Sequence, residues 1–262
     1  MSDIKNSTLN GEIIVSLHAG YDTNGIYADA FLARPADAKG PCPGVVLLSG
    51  MHGMTFTQRE ITRRYARAGF VALSPDYLGG QTPDAHDAAL HAKNSLDVGP
   101  TVAALAGGAA FLRSLPWVGA QGKVGIMGFC LGGGLALLAC ARTKAFDAGV
   151  IYHHSLFPDA RELAGISCTL QGHYGTDDHS TPREEVDAFT RAMDGYGKPY
   201  ELHWYDGMPH SFAQIAPDAD VPPARKAASD LSYERSFEFL HRVLGGSTKR
   251  LSEAAVGKAA AQ

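Results

Sequence analysis

The stretch Lys123-Val-Gly-Ile-Met-Gly-Phe-Cys130-Leu-Gly-Gly-Gly134-Leu-Ala-Leu-Leu-Ala139 limits the possible folds of this chain more than any other. Val124 to Met127 reads as a short buried strand and Leu131 to Ala141 as an apolar helix, so the backbone must reverse at Cys130. Gly128 and Gly132 stand two positions either side, which matches the nucleophile-elbow pattern Gly-x-Ser-x-Gly with Cys in place of Ser. Such a turn lifts the thiol above the sheet edge. It also sets the thiol at a helix N-terminus, where unpaired N–H groups favour a thiolate and can hold an oxyanion. A Gly-rich turn around a small buried cysteine is the plainer reading of this pentapeptide alone, so its partners decide.

Those partners sit in a chain of alternating elements. Glu12 to His18 and Tyr27 to Ala33 alternate as strands around Asp22-Thr-Asn-Gly25 and predict an antiparallel hairpin. Gly44-Val-Val-Leu-Leu-Ser49 is a continuous apolar strand of the inner, parallel kind, followed by the loop Gly50-Met51-His52-Gly53. A helix over 60–68, a strand over 70–74, an aperiodic rim stretch over 78–98 and a helix over 101–115 precede the elbow. After it come strands at 148–152, 168–172 and 200–205, with helices over 183–196 and 227–244. This order predicts one α/β domain over residues 1–262, with its core at about 12–244, mobile termini and a mostly parallel central sheet bearing helices on both faces.

Composition narrows the function. The formal net charge is -4, with 45% hydrophobic and 19% charged residues, so no basic surface awaits nucleic acid. No apolar run approaches the ~20 residues of a membrane span and the first residues are polar, so a cytoplasmic protein without a membrane partner is expected. Monomer and homo-oligomer remain equally open. Cys42, Cys130, Cys140 and Cys168 are widely spaced, which argues against a disulfide framework or a zinc site. His153-His154 and Asp84-Ala-His86-Asp87 match no standard ligand spacing, so no metal is expected.

A thiol acting as an acyl acceptor needs a histidine in reach and an acid to orient it. Cys130, then Asp177 or Asp178, then His210 follow the order nucleophile, acid, histidine, each just past a strand on one edge of the sheet. Considered singly, Asp178 reads equally well as a helix N-cap and His210 as a solvated loop residue. His52, Tyr77, Tyr152, His153 and Phe212 lie near the same edge and are candidates to line a substrate pocket, with His154 a further rim histidine.

Three blocks, Gly-Phe-Cys130-Leu-Gly-Gly, Gly-Thr-Asp-Asp178-His-Ser-Thr-Pro and His-Trp-Tyr-Asp-Gly-Met-Pro-His210-Ser-Phe-Ala, resemble the catalytic blocks of the dienelactone hydrolase (carboxymethylenebutenolidase) family. The likeness runs over roughly residues 12 to 244. It implies an α/β-hydrolase fold and a Cys130-Asp178-His210 triad, with the backbone N–H groups of Met51 and Leu131 as oxyanion hole. It also implies lactone or ester cleavage through an acyl-enzyme, without a cofactor. The chain departs from the pattern at three places. Gly50 stands where the family carries a glutamate that holds the thiol, and Gly80 and Gln214 stand where arginines receive a substrate carboxylate. Neutral small-molecule esters or lactones are therefore expected to be better substrates than carboxylate-bearing ones. The alternatives are an amide or peptide hydrolase and a non-catalytic small-molecule-binding protein on a hydrolase scaffold.

Overall fold

The structure, a computed structural model, describes residues 5–9, 12–23, 25–38 and 40–245. Its centre is a nine-stranded sheet in the order β1-β2-β3-β5-β4-β6-β7-β8-β9. The strands β1 (Lys5–Leu9), β2 (Glu12–Thr23) and β3 (Ile26–Pro35) form an antiparallel meander at one side. Strand β3 pairs antiparallel with β5 (Val71–Pro75), and from there β4 (Gly44–Leu48), β6 (Val124–Phe129), β7 (Ala148–Tyr152), β8 (Thr169–Gly175) and β9 (Tyr200–Tyr205) all run parallel. The mostly parallel sheet expected from the strand–helix alternation is thus present. Strand β1 is an addition: residues placed outside the core by their polarity pair with β2. The tail beyond residue 245 lies outside the described residues.

Inner strands feel apolar surroundings on both sides, and β4 shows how. Val45 and Leu47 pack with Ile61 and Tyr65 of α1 (Phe56–Arg67) and Phe237 and Leu240 of α7 (Pro223–Leu244). Val46 and Leu48 face the other way, onto Leu105 and Leu112 of α3 (Val98–Ser114) and Leu135 of α4 (Leu131–Arg142). Period-two alternation inside an unbroken apolar run therefore feeds two helical layers. Helix α1 starts earlier than its apolar spacing suggests, because Thr55 accepts the Gln58 N–H as an N-cap. Similarly, Asp97 caps α3, which begins at Val98, three residues ahead of the predicted start. Helix α7 begins at a Pro-Pro pair and stops at Gly245, φ 82°. The rim stretch contains α2 (His86–Asn94), short and weakly apolar, with only Ala89 and Ala92 buried. A single turn, α5 (Ala160–Leu163), precedes β8, and α6 (Arg183–Gly195) joins β8 to β9.

Parallel register sets the C-terminal ends of β4, β6, β8 and β9 along one edge, with Leu48 opposite Gly128, Phe129 opposite Tyr152 and Gly175 opposite Tyr205. Loops leaving these ends meet there, the usual place for ligands in an open parallel sheet. Among the described residues no single helix is long and apolar enough to cross a membrane.

Close approach of α4 to the segment after β7 depends on glycine. A Cβ on Gly134 would lie 2.4 Å from Leu156 Cβ and 2.6 Å from its carbonyl oxygen. Alanine improves helix propensity by about 1 kcal/mol, but overpacking costs about 1–3 kcal/mol. Gly134→Ala is therefore expected to lower the unfolding free energy in a urea titration; unchanged or increased stability would mean the segment yields freely.

Candidate active site

Cys130 joins β6 to α4 at φ 53° and ψ −115°, a region non-glycine residues seldom enter. Gly128 makes the reversal possible, since a Cβ there would lie 2.1 Å from the Gly132 oxygen. The strained residue is clamped on both sides by the chain leaving β7. Its N–H donates to Tyr152 O at 3.1 Å, and its carbonyl accepts the Ser155 N–H at 3.0 Å. The side chain is nearly buried, with its thiol donating to Ser155 Oγ at 3.3 Å. Burial opposes ionisation of Cys130. Hydrogen bonding and charge from His210, then Ser155 and the Leu131 N–H, outweigh it and hold the thiol below its ordinary pKa.

Asp178 follows β8 and is buried. Its Oδ1 accepts the backbone N–H groups of Ser180 at 2.8 Å and Thr181 at 3.0 Å, and its Oδ2 accepts His210 Nδ1–H at 2.8 Å. Burial would raise this carboxyl; the His210 contact and the two N–H donors hold it low, as a carboxylate. Because a carboxylate can only accept, Nδ1 of His210 carries the proton and Nε2 is left for the thiol. Burial alone would lower the His210 pKa, but Asp178 and Cys130 together push it up to about 9. The His210 loop is pinned from α7, where Arg225 donates to Ser211 O at 3.0 Å and Phe212 O at 3.2 Å. The Thr181 hydroxyl ties the Asp178 loop to His154 O at 3.1 Å.

A cleft of about 450 Å³ opens over these groups, lined among others by Gly50, Met51, His52, Cys130, Ser155 and His210. His52 lines it, with Nδ1 on Pro83 O at 2.7 Å. Four other residues expected to line it do not. Tyr77 spends its hydroxyl on the carbonyls of Ser49 at 2.7 Å and Gly50 at 3.2 Å, bracing the β4 loop from behind. Tyr152 is fully buried, bonded to Ser236 Oγ at 2.9 Å and stacked on His173. Phe212 is likewise buried, 4.8 Å from Tyr205 centre to centre. His153, at φ 34°, folds its ring inward against Phe129 and, edge-on at 4.5 Å, against His210. Tyr152 and Phe212 join the core on the α7 side, His153 packs beside them against Phe129 and His210, and Tyr77 packs on the opposite side of the sheet, so none of the four turns toward the cleft.

Burial drives His153 down to about 3 and His154 to about 4, so both remain neutral near pH 7. The ligating atoms of His153, Asp178 and His210 fall within 4.8 Å of one another. The His210–Asp178 hydrogen bond already occupies that carboxylate and Nδ1, so the trio reads as an oriented pair beside a neutral ring. Asp177, by contrast, is exposed, and its side chain meets Thr176 Oγ1 rather than His210.

Two further groups stand near the thiol: Gln214, which the sequence marks only as an arginine's replacement, and Lys93, which it does not mark. Gln214 sets its amide 3.7 and 3.8 Å from where a Gly50 Cβ would be, itself 3.6 Å from Cys130 Cβ. Lys93, from α2, enters the cleft and donates to Ser155 O at 3.1 Å and Oγ at 3.4 Å. No arginine and no carboxylate lines the cleft among the described residues, but the absence of arginine does not leave it without a cation. Lys93 was hidden in an aperiodic stretch, where the Ala89–Ala92 spacing is the one faint helical signal.

The family model "Dienelactone hydrolase family" matches residues 28–244. The chain is 32% identical over 219 residues to "Probable 2-oxo-3-(5-oxofuran-2-ylidene)propanoate lactonase" of Bradyrhizobium sp., covering 79% of this chain and 87% of that relative. It is 27% identical over 212 residues to "Carboxymethylenebutenolidase" of Pseudomonas putida, covering 78% and 87%. In fold it is similar to a dienelactone hydrolase-like promiscuous phosphotriesterase, P91, from metagenomic libraries, with TM-score 0.75, 21% identity and coverage of 88% and 98%.

The elevated His210 is the measurable consequence of this geometry. In ¹⁵N-resolved NMR titrations Asp178→Asn should lower the His210 pKa from about 9 by about 1–3 units, because a hydrogen bond and a negative charge are both removed. Asp177→Asn should leave it in place. The opposite ranking would reassign the acid.

Proposed function

The chain belongs to the dienelactone hydrolase family, and on that premise we propose that it is a cysteine-dependent hydrolase of small-molecule carboxylic esters or lactones. The observation that carries this reading is the Asp178–His210 hydrogen bond beside Cys130 in one cleft, with the thiol held below its ordinary pKa. A cleft of about 450 Å³ suits a small substrate.

Cys130 passes its proton to His210 Nε2 and attacks the carbonyl carbon as thiolate. Charge developing on the carbonyl oxygen is received by the N–H groups of Leu131 and Met51. The imidazolium of His210, stabilised by Asp178, protonates the departing alkoxide, which in a lactone stays tethered to the acyl group. His210, now neutral, takes a proton from water, whose oxygen cleaves the thioester and returns Cys130. Asp178 is held by two backbone donors besides His210, so it orients the ring without accepting its proton. An oriented Asp178–His210 pair sharing its cleft with Cys130 counts against a merely ligand-binding scaffold.

Proton bookkeeping sets the pH dependence. The thiolate–imidazolium pair forms as pH rises through the lowered Cys130 pKa and loses its acid as pH passes about 9. The kcat/KM for a p-nitrophenyl ester should therefore rise and then fall, with the descending limb near pH 9. An alkaline plateau would contradict His210 as the acid. Cys130→Ala should abolish turnover to within background while preserving the circular dichroism spectrum; retained activity would remove Cys130 from the mechanism.

Substrate charge is set by the missing guanidinium groups. Gly80 lies outside the cleft-lining set, and Gln214 offers a neutral amide. A methyl ester of a carboxylate-bearing lactone should have kcat/KM at least equal to that of its free acid. A preference of about tenfold or more for the free acid would make Lys93 a carboxylate anchor.

A further inference from the structure

The thiol of Cys130 points at Ser155, and Ser155 is held by Lys93. Ser155 is tied to Cys130 twice, by its N–H on the Cys130 carbonyl at 3.0 Å and by its Oγ beside the sulfur at 3.3 Å. Lys93 donates to the same hydroxyl at 3.4 Å and to the Ser155 carbonyl at 3.1 Å. The two steps from ammonium to hydroxyl to sulfur put Nζ within about 7 Å of Sγ, near the range in which an opposite charge favours ionisation. On the other side of the sulfur, Gly50 supplies no side chain.

We propose that Ser155 and Lys93 form a second positioning relay for the Cys130 thiolate, built from a hydroxyl and a cation. It rests on the reading of Cys130 as nucleophile. A serine hydroxyl has one proton and two lone pairs. In the thiol state one lone pair accepts S–H and the other accepts Lys93 Nζ–H. When the thiol proton moves to His210 Nε2, the freed Ser155 O–H turns and donates to the sulfur anion, while Lys93 keeps the oxygen polarised. One S–H bond breaks, one N–H bond forms, and no other group changes protonation. The relay thus brings a hydroxyl donor and a cation to the sulfur, both of which favour its anion.

The other titratable groups around the sulfur do not duplicate it. His210 is the proton acceptor, and the Tyr77 phenol is held protonated by burial behind the Ser49–Gly50 loop. His52 and His86 line the cleft, His153 is buried and neutral, and no Asp or Glu lines the cleft among the described residues.

The test reads the thiol itself. Iodoacetamide alkylation of the Cys130 peptide is followed by mass spectrometry as a function of pH in the full chain and in Ser155→Ala, Lys93→Gln and Lys93→Arg. Glutamine keeps a donor for the Ser155 carbonyl but removes the charge. The relay predicts that Ser155→Ala and Lys93→Gln each raise the alkylation midpoint by about one unit, leaving about tenfold less thiolate below it, whereas Lys93→Arg stays near wild type. Midpoints unchanged, or lowered, in Lys93→Gln overturn the relay, and this partly exposed helix position makes that variant readable even if Ser155→Ala misfolds. Because alkylation needs no substrate, such a result leaves the hydrolase reading standing. Full turnover by Cys130→Ala would sink the hydrolase reading instead, without regard to the midpoints.

Discussion

A single strained residue holds the site together. At φ 53° the Cys130 backbone carries a cost of roughly 1–3 kcal/mol, which persists only where the surroundings impose it. Here the segment leaving β7 does so, taking the Cys130 N–H at Tyr152 O and returning the Ser155 N–H to the Cys130 carbonyl. Those bonds require α4 to pass close to that segment, which its glycines permit. The helix start, the height of the thiol over the sheet edge and the presence of Ser155 beside the sulfur all follow from one clamp.

Charge is the second constraint. An anion in a partly buried cleft is costly unless partners are already in place, and the protein sets charged and polar groups there from separate elements. The loops after β8 and β9 contribute Asp178 and His210, α4 contributes the Leu131 N–H, and α2 brings Lys93 over the rim. Asp178 can remain ionised because Ser180 and Thr181 present N–H groups to one oxygen while His210 meets the other. The neutral ring of His153 packs against His210 without adding a competing charge.

Much of this is legible in the sequence where chemistry and periodicity coincide. Val45 to Leu48 are apolar at every position in a short run flanked by Gly44 and Gly50, as in a strand covered on both faces, so the parallel sheet follows. Gly128-Phe-Cys130-Leu-Gly132 marks the reversal, and the Asp177-Asp178 pair and His210 can be placed because each follows a strand of the same parallel set, while the choice of Asp178 comes from the family resemblance. The pocket walls are less accessible to this logic. Adjacency to a strand end does not say which way a side chain leaves, so Tyr152, His153 and Phe212 turn inward toward α7, and Tyr77 braces a loop from behind. Ser155, just two residues beyond His153, is the one that faces the thiol. Lys93 depends on a short helix whose buried face is two alanines, too weak a pattern to give it a direction.

The most direct test is to catch the covalent intermediate. Rapid mixing with an activated ester, acid quenching within the first turnover and peptide mass spectrometry should find the acyl group on Cys130, formed at the burst rate and lost at the steady-state rate. Acylation of another residue, or turnover with Cys130 unmodified at every quench time, would contradict the account at its centre.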